Sequence, residues 1–193
     1  MEEIEYYKPL YPISHPVDER VKDFISRFYA ISDDKSQDEQ WVGCFDALAQ
    51  VNIGDKSAWG TKEIRKMRKR MWERVAARKH LLLRVYPVIF YPEASYDGDE
   101  SRRPAAEYMI EGEVLTIGWH DFESREASWA AHAILVEERG ELKYRFYQVC
   151  LSEHGKHGLD VSVGDRLRVF ARRWLGPVLL VAAVDVLYKK FLA

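Results

Sequence analysis

The runs EYMIEGEVLTIGW (107–119), REASWAAHAILVE (125–137) and LKYRFYQVCL (142–151) decide the fold. Each is long, rich in β-branched or aromatic residues and free of proline, and each reads as a strand. Arg139-Gly140-Glu141 joins the second run to the third as a hairpin turn. Upstream, His80–Tyr91 is one more mostly buried strand, in which Pro87 marks an edge or a bulge. The polar stretch Pro92–Pro104, with Gly98 and Asp99, is a long loop.

N-terminal to these strands the period changes to that of helices. Gly60-Thr61 opens a helix that the spacing carries to Lys79, with Thr61 as its cap and Glu63 in its first turn. Ile64, Met67, Met71, Trp72 and Val75 form its apolar stripe. Lys62, Arg65, Lys66, Arg68, Lys69, Arg70 and Arg74 read as its solvated face. Asp46–Ile53 is a strand closed by Gly54-Asp55, and a short helix around Trp41, Val42 and Phe45 precedes it. Val21, Phe24, Ile25 and Phe28 recur at three- and four-residue steps, so a helix runs from Val17 to the Asp33-Asp34-Lys35-Ser36 stop. Residues 1–16, with Pro9, Pro12 and Pro16, form an extended arm without a fold of its own. Helices segregated from a run of strands give an α+β domain, with helices on one face of a curved antiparallel sheet.

Composition narrows the function by exclusion. The 193 residues suit one domain. A formal charge of −2, from 29 basic and 31 acidic residues, gives no electrostatic case for nucleic acid. Cys44 and Cys150 match no metal or redox spacing, which points to a reducing, cytoplasmic setting. The acidic N-terminus lacks the order of a signal peptide. Trp174–Tyr188 is almost wholly apolar but contains Asp185 and falls short of the about 20 residues of a membrane span. It reads as a helix that is a lid or lies on a membrane surface, within a C-terminal extension covering 152–193.

Residues 17–151 resemble the NTF2-like superfamily, and especially the SnoaL-like proteins common in fungi. The resemblance is carried by Phe28-Tyr29 with Ser32-Asp33, Phe45-Asp46-Ala47, Gly60 through Glu63-Ile64, Met71-Trp72, Arg78-Lys79-His80, Trp129-Ala130-Ala131 and Phe146-Tyr147-Gln148-Val149. It implies a cone-shaped sheet with helices on its concave face, a homodimer, and a hydrophobic small-molecule substrate needing no cofactor.

No Gly-rich phosphate loop, nucleophile elbow or metal-spaced histidine pair is present, so no metal is expected. The chemistry therefore has to come from polar groups converging in the cone. By resemblance to the scytalone dehydratase branch, Asp33, His80 and His120 form the catalytic group, a carboxylate fixing one imidazole and two imidazoles moving the proton. Tyr29, Trp72, Trp129, Tyr144 and Gln148 are the expected substrate-binding residues. Arg84 joins them because it alternates with Leu82 and His80 on one strand, where it can hold an oxyanion. Glu111 and Glu113 share a face of the next strand, and an inward one would be an acid with a raised pKa. Where the dehydratase branch carries polar residues this chain has Trp129 and Ala131, which argues against the same substrate. Two functions fit: a cofactor-free isomerase, cyclase, dehydratase or epoxide hydrolase acting on a polyketide or terpenoid, and a non-catalytic ligand-binding or dimerisation module.

Overall fold

The computed structural model describes residues 5–88, 106–120 and 123–153. The loop expected at 92–104 and the apolar C-terminal helix lie outside the described residues. Among those described, no helix is long and apolar enough to cross a membrane.

Helix α1 (Glu19–Ser32) starts where Asp18 accepts the backbone N–H of Arg20, with Glu19 favourably placed at the positive helix end. Its stripe of Val21, Phe24, Ile25 and Phe28 is buried, on the order of 2 kcal/mol of transfer free energy per side chain. A 3-10 turn (Lys35–Gln37) and helix α2 (Asp38–Gly43) follow, and strand β1 (Phe45–Ile53) begins at a residue expected in the short helix. Gly54, at φ 59°, turns the chain into β2 (Lys56–Trp59), a strand that the sequence reading did not anticipate. Helix α3 (Gly60–Met71) then starts at Gly60, whose φ of 69° suits a residue without Cβ. Thr61 is not its cap. Instead the Glu63 carboxylate reaches back to accept the Trp59 backbone N–H.

Strand β3 (Val75–Pro87) begins five residues before the expected His80. Val75-Ala76-Ala77 continues the helical register, but pairing with β4 (Ala106–Gly118) takes precedence, with Val75 opposite Gly118 and Ala77 opposite Ile117. Strands β5 (Ser124–Glu138) and β6 (Glu141–Glu153) complete the sheet through a tight turn at Arg139-Gly140, both with positive φ. The order is β2-β1-β6-β5-β4-β3. All pairs are antiparallel except β1 with β6, which is parallel, so the sheet is mixed rather than purely antiparallel.

The helices cover the concave face. Phe28 stands at the centre of an aromatic cluster with Tyr29, Trp41, Phe45, Tyr144 and Tyr147, each ring centroid 4.8 to 6.0 Å from its own. The N-terminal arm is not loose. It runs parallel to β3 along its free edge, Tyr6 accepting from the Leu82 N–H and Leu10 bonding to Leu83 and Val85.

Candidate functional site

Asp33 ends α1, and its side chain turns under the helix toward β3. One carboxylate oxygen lies 2.5 Å from His80 Nδ1. The other accepts the His80 backbone N–H at 2.7 Å and the Tyr7 hydroxyl at 3.0 Å. A carboxylate in this position only accepts, so Nδ1 carries a proton, and in the neutral imidazole the free lone pair is the one on Nε2. The Tyr7 hydroxyl itself accepts from Lys79 Nζ at 2.6 Å, and Ser26 Oγ holds the Tyr7 carbonyl. Burial would raise the Asp33 carboxyl, but the His80 charge and hydrogen bonds and the nearby Arg78 hold it below the ordinary carboxylate range.

A carboxylate at a helix C-terminus meets the negative end of the helix dipole, and two arginines offset this. Arg68, from α3, is fully buried and uses its guanidinium on Asp38 and on the carbonyls of Ile31, Ser32 and Asp34. It is sandwiched between Trp41 and Trp72, 5.2 and 5.1 Å from their ring centroids. The residue expected on the solvated face of α3 is thus the tie between α3 and the end of α1. Arg78 also donates to the Ser32 carbonyl, and its Nε lies 3.6 Å from Asp33.

His80 faces a cavity of about 150 Å³. Its walls are mostly apolar, from Met71, Val114, Trp129 and Val149, with Ser32, Arg78 and Thr116 as polar members. Tyr29 and Trp129 stack at 5.0 Å and both meet the His80 ring edge-on. The Tyr29 and Tyr147 hydroxyls bond to each other at 2.9 Å. Burial raises both pKa values, so they stay protonated. Trp129 can lie across β4 because its cross-strand neighbour is Gly112. A Cβ there would stand 2.3 Å from the Leu81 carbonyl oxygen and 2.6 Å from the indole.

Of the expected site residues, Asp33, His80, Tyr29 and Trp129 come together. His120 does not join them: it lies exposed in the turn after β4. Trp72 and Tyr144 are buried but line no part of this cavity, the first stacking on Arg68 and Arg78 and the second packing on Phe24 and Phe28. Arg84 faces away. The register slips between Leu82, opposite Gly112, and Arg84, opposite Glu111, and this bulge inverts the alternation. Val85 takes the inward place, and Arg84 pairs with Glu111 on the outer face with its side chain 56% exposed. Gln148 is exposed for a related reason: β6 slips between Tyr144 and Phe146 against β5, which turns Tyr147 inward and Gln148 outward. Tyr7, Arg78 and Tyr147 are the members the sequence reading missed. For Arg78 a signal existed, since it stands two residues before His80 on the same strand face.

No protein-family model matches the sequence, and no curated protein matches it either. Solved structures do match. A scytalone dehydratase-like protein from Novosphingobium aromaticivorans is 8% identical, over 74% of this chain and 88% of that one, with a TM-score of 0.59. The hexachlorocyclohexane dehydrochlorinase LinA-type3 from Novosphingobium barchaimii is 10% identical over 74% and 92%, with a TM-score of 0.57. ActVI-ORFA from Streptomyces coelicolor is 17% identical over 69% and 96%, with a TM-score of 0.53. At these identities the likeness is one of fold, and the curved mixed sheet with its helices is the NTF2-like fold.

Proposed function

We propose that this chain is a cofactor-free acid–base enzyme, an isomerase, cyclase or dehydratase acting on a small hydrophobic substrate of polyketide or terpenoid type. The observation that carries this is the 2.5 Å contact between Asp33 and His80 Nδ1 at the wall of an apolar cavity. A buried carboxylate that fixes one tautomer leaves Nε2 basic, and a positioned imidazole contributes about 10²–10⁴-fold to a proton transfer. Asp33 orients and His80 moves the proton. A purely binding module has no use for a carboxylate-fixed imidazole at its ligand wall. Names among the matching structures, a dehydratase-like protein and a dehydrochlorinase, agree with elimination chemistry in this fold.

The test is exchange of carbon-bound protons in D2O, followed by NMR, with small aromatic and alicyclic ketones as probes. The protein accelerates exchange, and His80→Ala abolishes the acceleration while its thermal midpoint stays close to that of the parent. Exchange that survives His80→Ala removes His80 from the role. A homodimer joined through the outer sheet face belongs to the same reading, and light scattering on the purified chain tests it.

A further inference from the structure

Arg78 is the buried charged group that the proton-transfer step leaves unexplained. Its side chain is 8% exposed and it lines the same cavity as His80. A guanidinium offers five N–H donors. Among the described residues its hydrogen bond goes to the Ser32 carbonyl, its ion contact with Asp33 is long at 3.6 Å, and Nε has no hydrogen-bond partner. Burial pulls its pKa down to about 10, which still leaves it charged at neutral pH.

Its long contact with Asp33 leaves part of that donor set unused. Arg68 is satisfied by Asp38 and three carbonyls. Asp33 directs its hydrogen-bonding capacity to His80 and Tyr7, and Lys79 adds a second cation through Tyr7. Tyr147 stands on the wall of the same cavity as Arg78. In the Tyr29–Tyr147 pair only one hydroxyl can donate to the other, so one O–H is left to point elsewhere.

We propose that Arg78, with the Tyr147 hydroxyl on the wall of the same cavity, is a subsite for an oxygen bearing full or developing negative charge. The molecule handled by His80 is then a single-ring compound with a carboxylate or an enolisable carbonyl. The reaction half rests on the proton-transfer reading above; the binding half does not. Arg78 and His80 lie two residues apart on one strand face, about 7 Å along the strand. A carbon losing its proton to Nε2 and an oxygen two bonds away bridge that spacing with contacts of about 3 Å at each end. The C–H pair becomes the C=C of an enolate, the carbonyl π pair moves onto oxygen beside Arg78, and the proton rests on Nε2. Where a C=C adjoins that carbon the product is a dienolate, and return of the proton to its far carbon shifts the double bond and completes an isomerisation with no other reactant. The cavity volume of about 150 Å³ suits one ring, the size at which an apolar protein cavity takes up benzene.

The experiment is calorimetric titration with benzoate and with benzamide, its neutral isostere, at about pH 8.5, where an ordinary imidazole is uncharged. Benzoate binds tighter by about tenfold or more, the scale of one charge-assisted hydrogen bond. Arg78→Gln brings the ratio to about one, whereas His80→Asn and the surface control Arg84→Ala retain it. Equal binding of the two probes by the parent protein overturns the subsite, and this needs no variant to fold. A benzoate preference that persists in Arg78→Gln overturns it too. Loss of the His80-dependent exchange with the benzoate preference intact would remove the reaction and leave the subsite, so the two failures are distinct.

Discussion

Replacing Asp33 by Asn keeps the size of the side chain and removes its charge. The carboxylate accepts three hydrogen bonds, from His80 Nδ1, the His80 backbone and Tyr7, with Arg78 at 3.6 Å. An amide can keep its one oxygen on the backbone N–H and the Tyr7 hydroxyl. Those two bonds then fall from charge-assisted to neutral strength, about 1 kcal/mol each. The amide NH2 meets Nδ1 as a second donor, and that bond survives only if the imidazole moves its proton to Nε2. With the Arg78 counter-charge also gone, the stability loss is about 3–5 kcal/mol, the usual range for a broken buried pair. A domain of ordinary stability, about 5–15 kcal/mol, stays folded at room temperature after such a loss. Urea unfolding with an unchanged slope measures the stability term, and imidazole ¹⁵N shifts report which nitrogen carries the proton. The variant shows the Nε2–H tautomer and a proton-transfer rate about 10²–10⁴-fold lower. Retention of the Nδ1–H tautomer, or a stability loss under about 1 kcal/mol, refutes the arrangement described for this carboxylate.

Gly112→Ala places a methyl group against the Leu81 carbonyl and the Trp129 indole and costs about 1–3 kcal/mol by urea unfolding, with the aromatic wall of the cavity displaced; a neutral result would show that β4 and the indole can part freely. Because the Asp33 carboxyl titrates lower when folded than when unfolded, the folded state binds fewer protons between those two values. Its contribution is complete above about pH 4 and disappears as pH falls through the depressed value, so the acid limb of Asp33→Asn is shallower than the parent's in pH-dependent unfolding. Arg84→Ala, which removes an exposed ion pair on the outer face, changes stability by about 0–1 kcal/mol and leaves the exchange rate as it was; a large loss of rate would return Arg84 to the site.

The fold was legible because its signals were long. The β4–β6 strands and the α1 stripe stand where their periodicities put them. What failed were local inferences that assumed unbroken periods. Alternation from His80 forward placed Arg84 inward, but a single bulge after Leu82 reversed it. Alternation from His80 backward leads to Arg78, which was hidden because the helix period was carried through Val75 to Lys79. Arg68 was assigned to solvent by its charge although Ile64, Met67, Arg68 and Met71 stand at the i, i+3, i+4 and i+7 positions of one helical face. Its burial depends on carbonyls at the end of α1 and on two tryptophans, partners that no local window contains. Tyr7 was unreadable for the same reason, since its partners Asp33 and Lys79 are distant in the chain.

The arm that carries Tyr7 has a second role as guardian of the sheet. β3 is an edge strand of thirteen residues, and an open edge of that length is a template for recruiting other chains. Tyr6 and Leu10 occupy that edge while Tyr7, between them, grips Asp33. Proteolytic trimming before Val17 would therefore do two things at once: loosen the carboxylate that orients His80, and bare a strand prone to aggregation. Loss of activity and loss of solubility should then set in together, from a cut that touches neither the cavity wall nor the sheet itself.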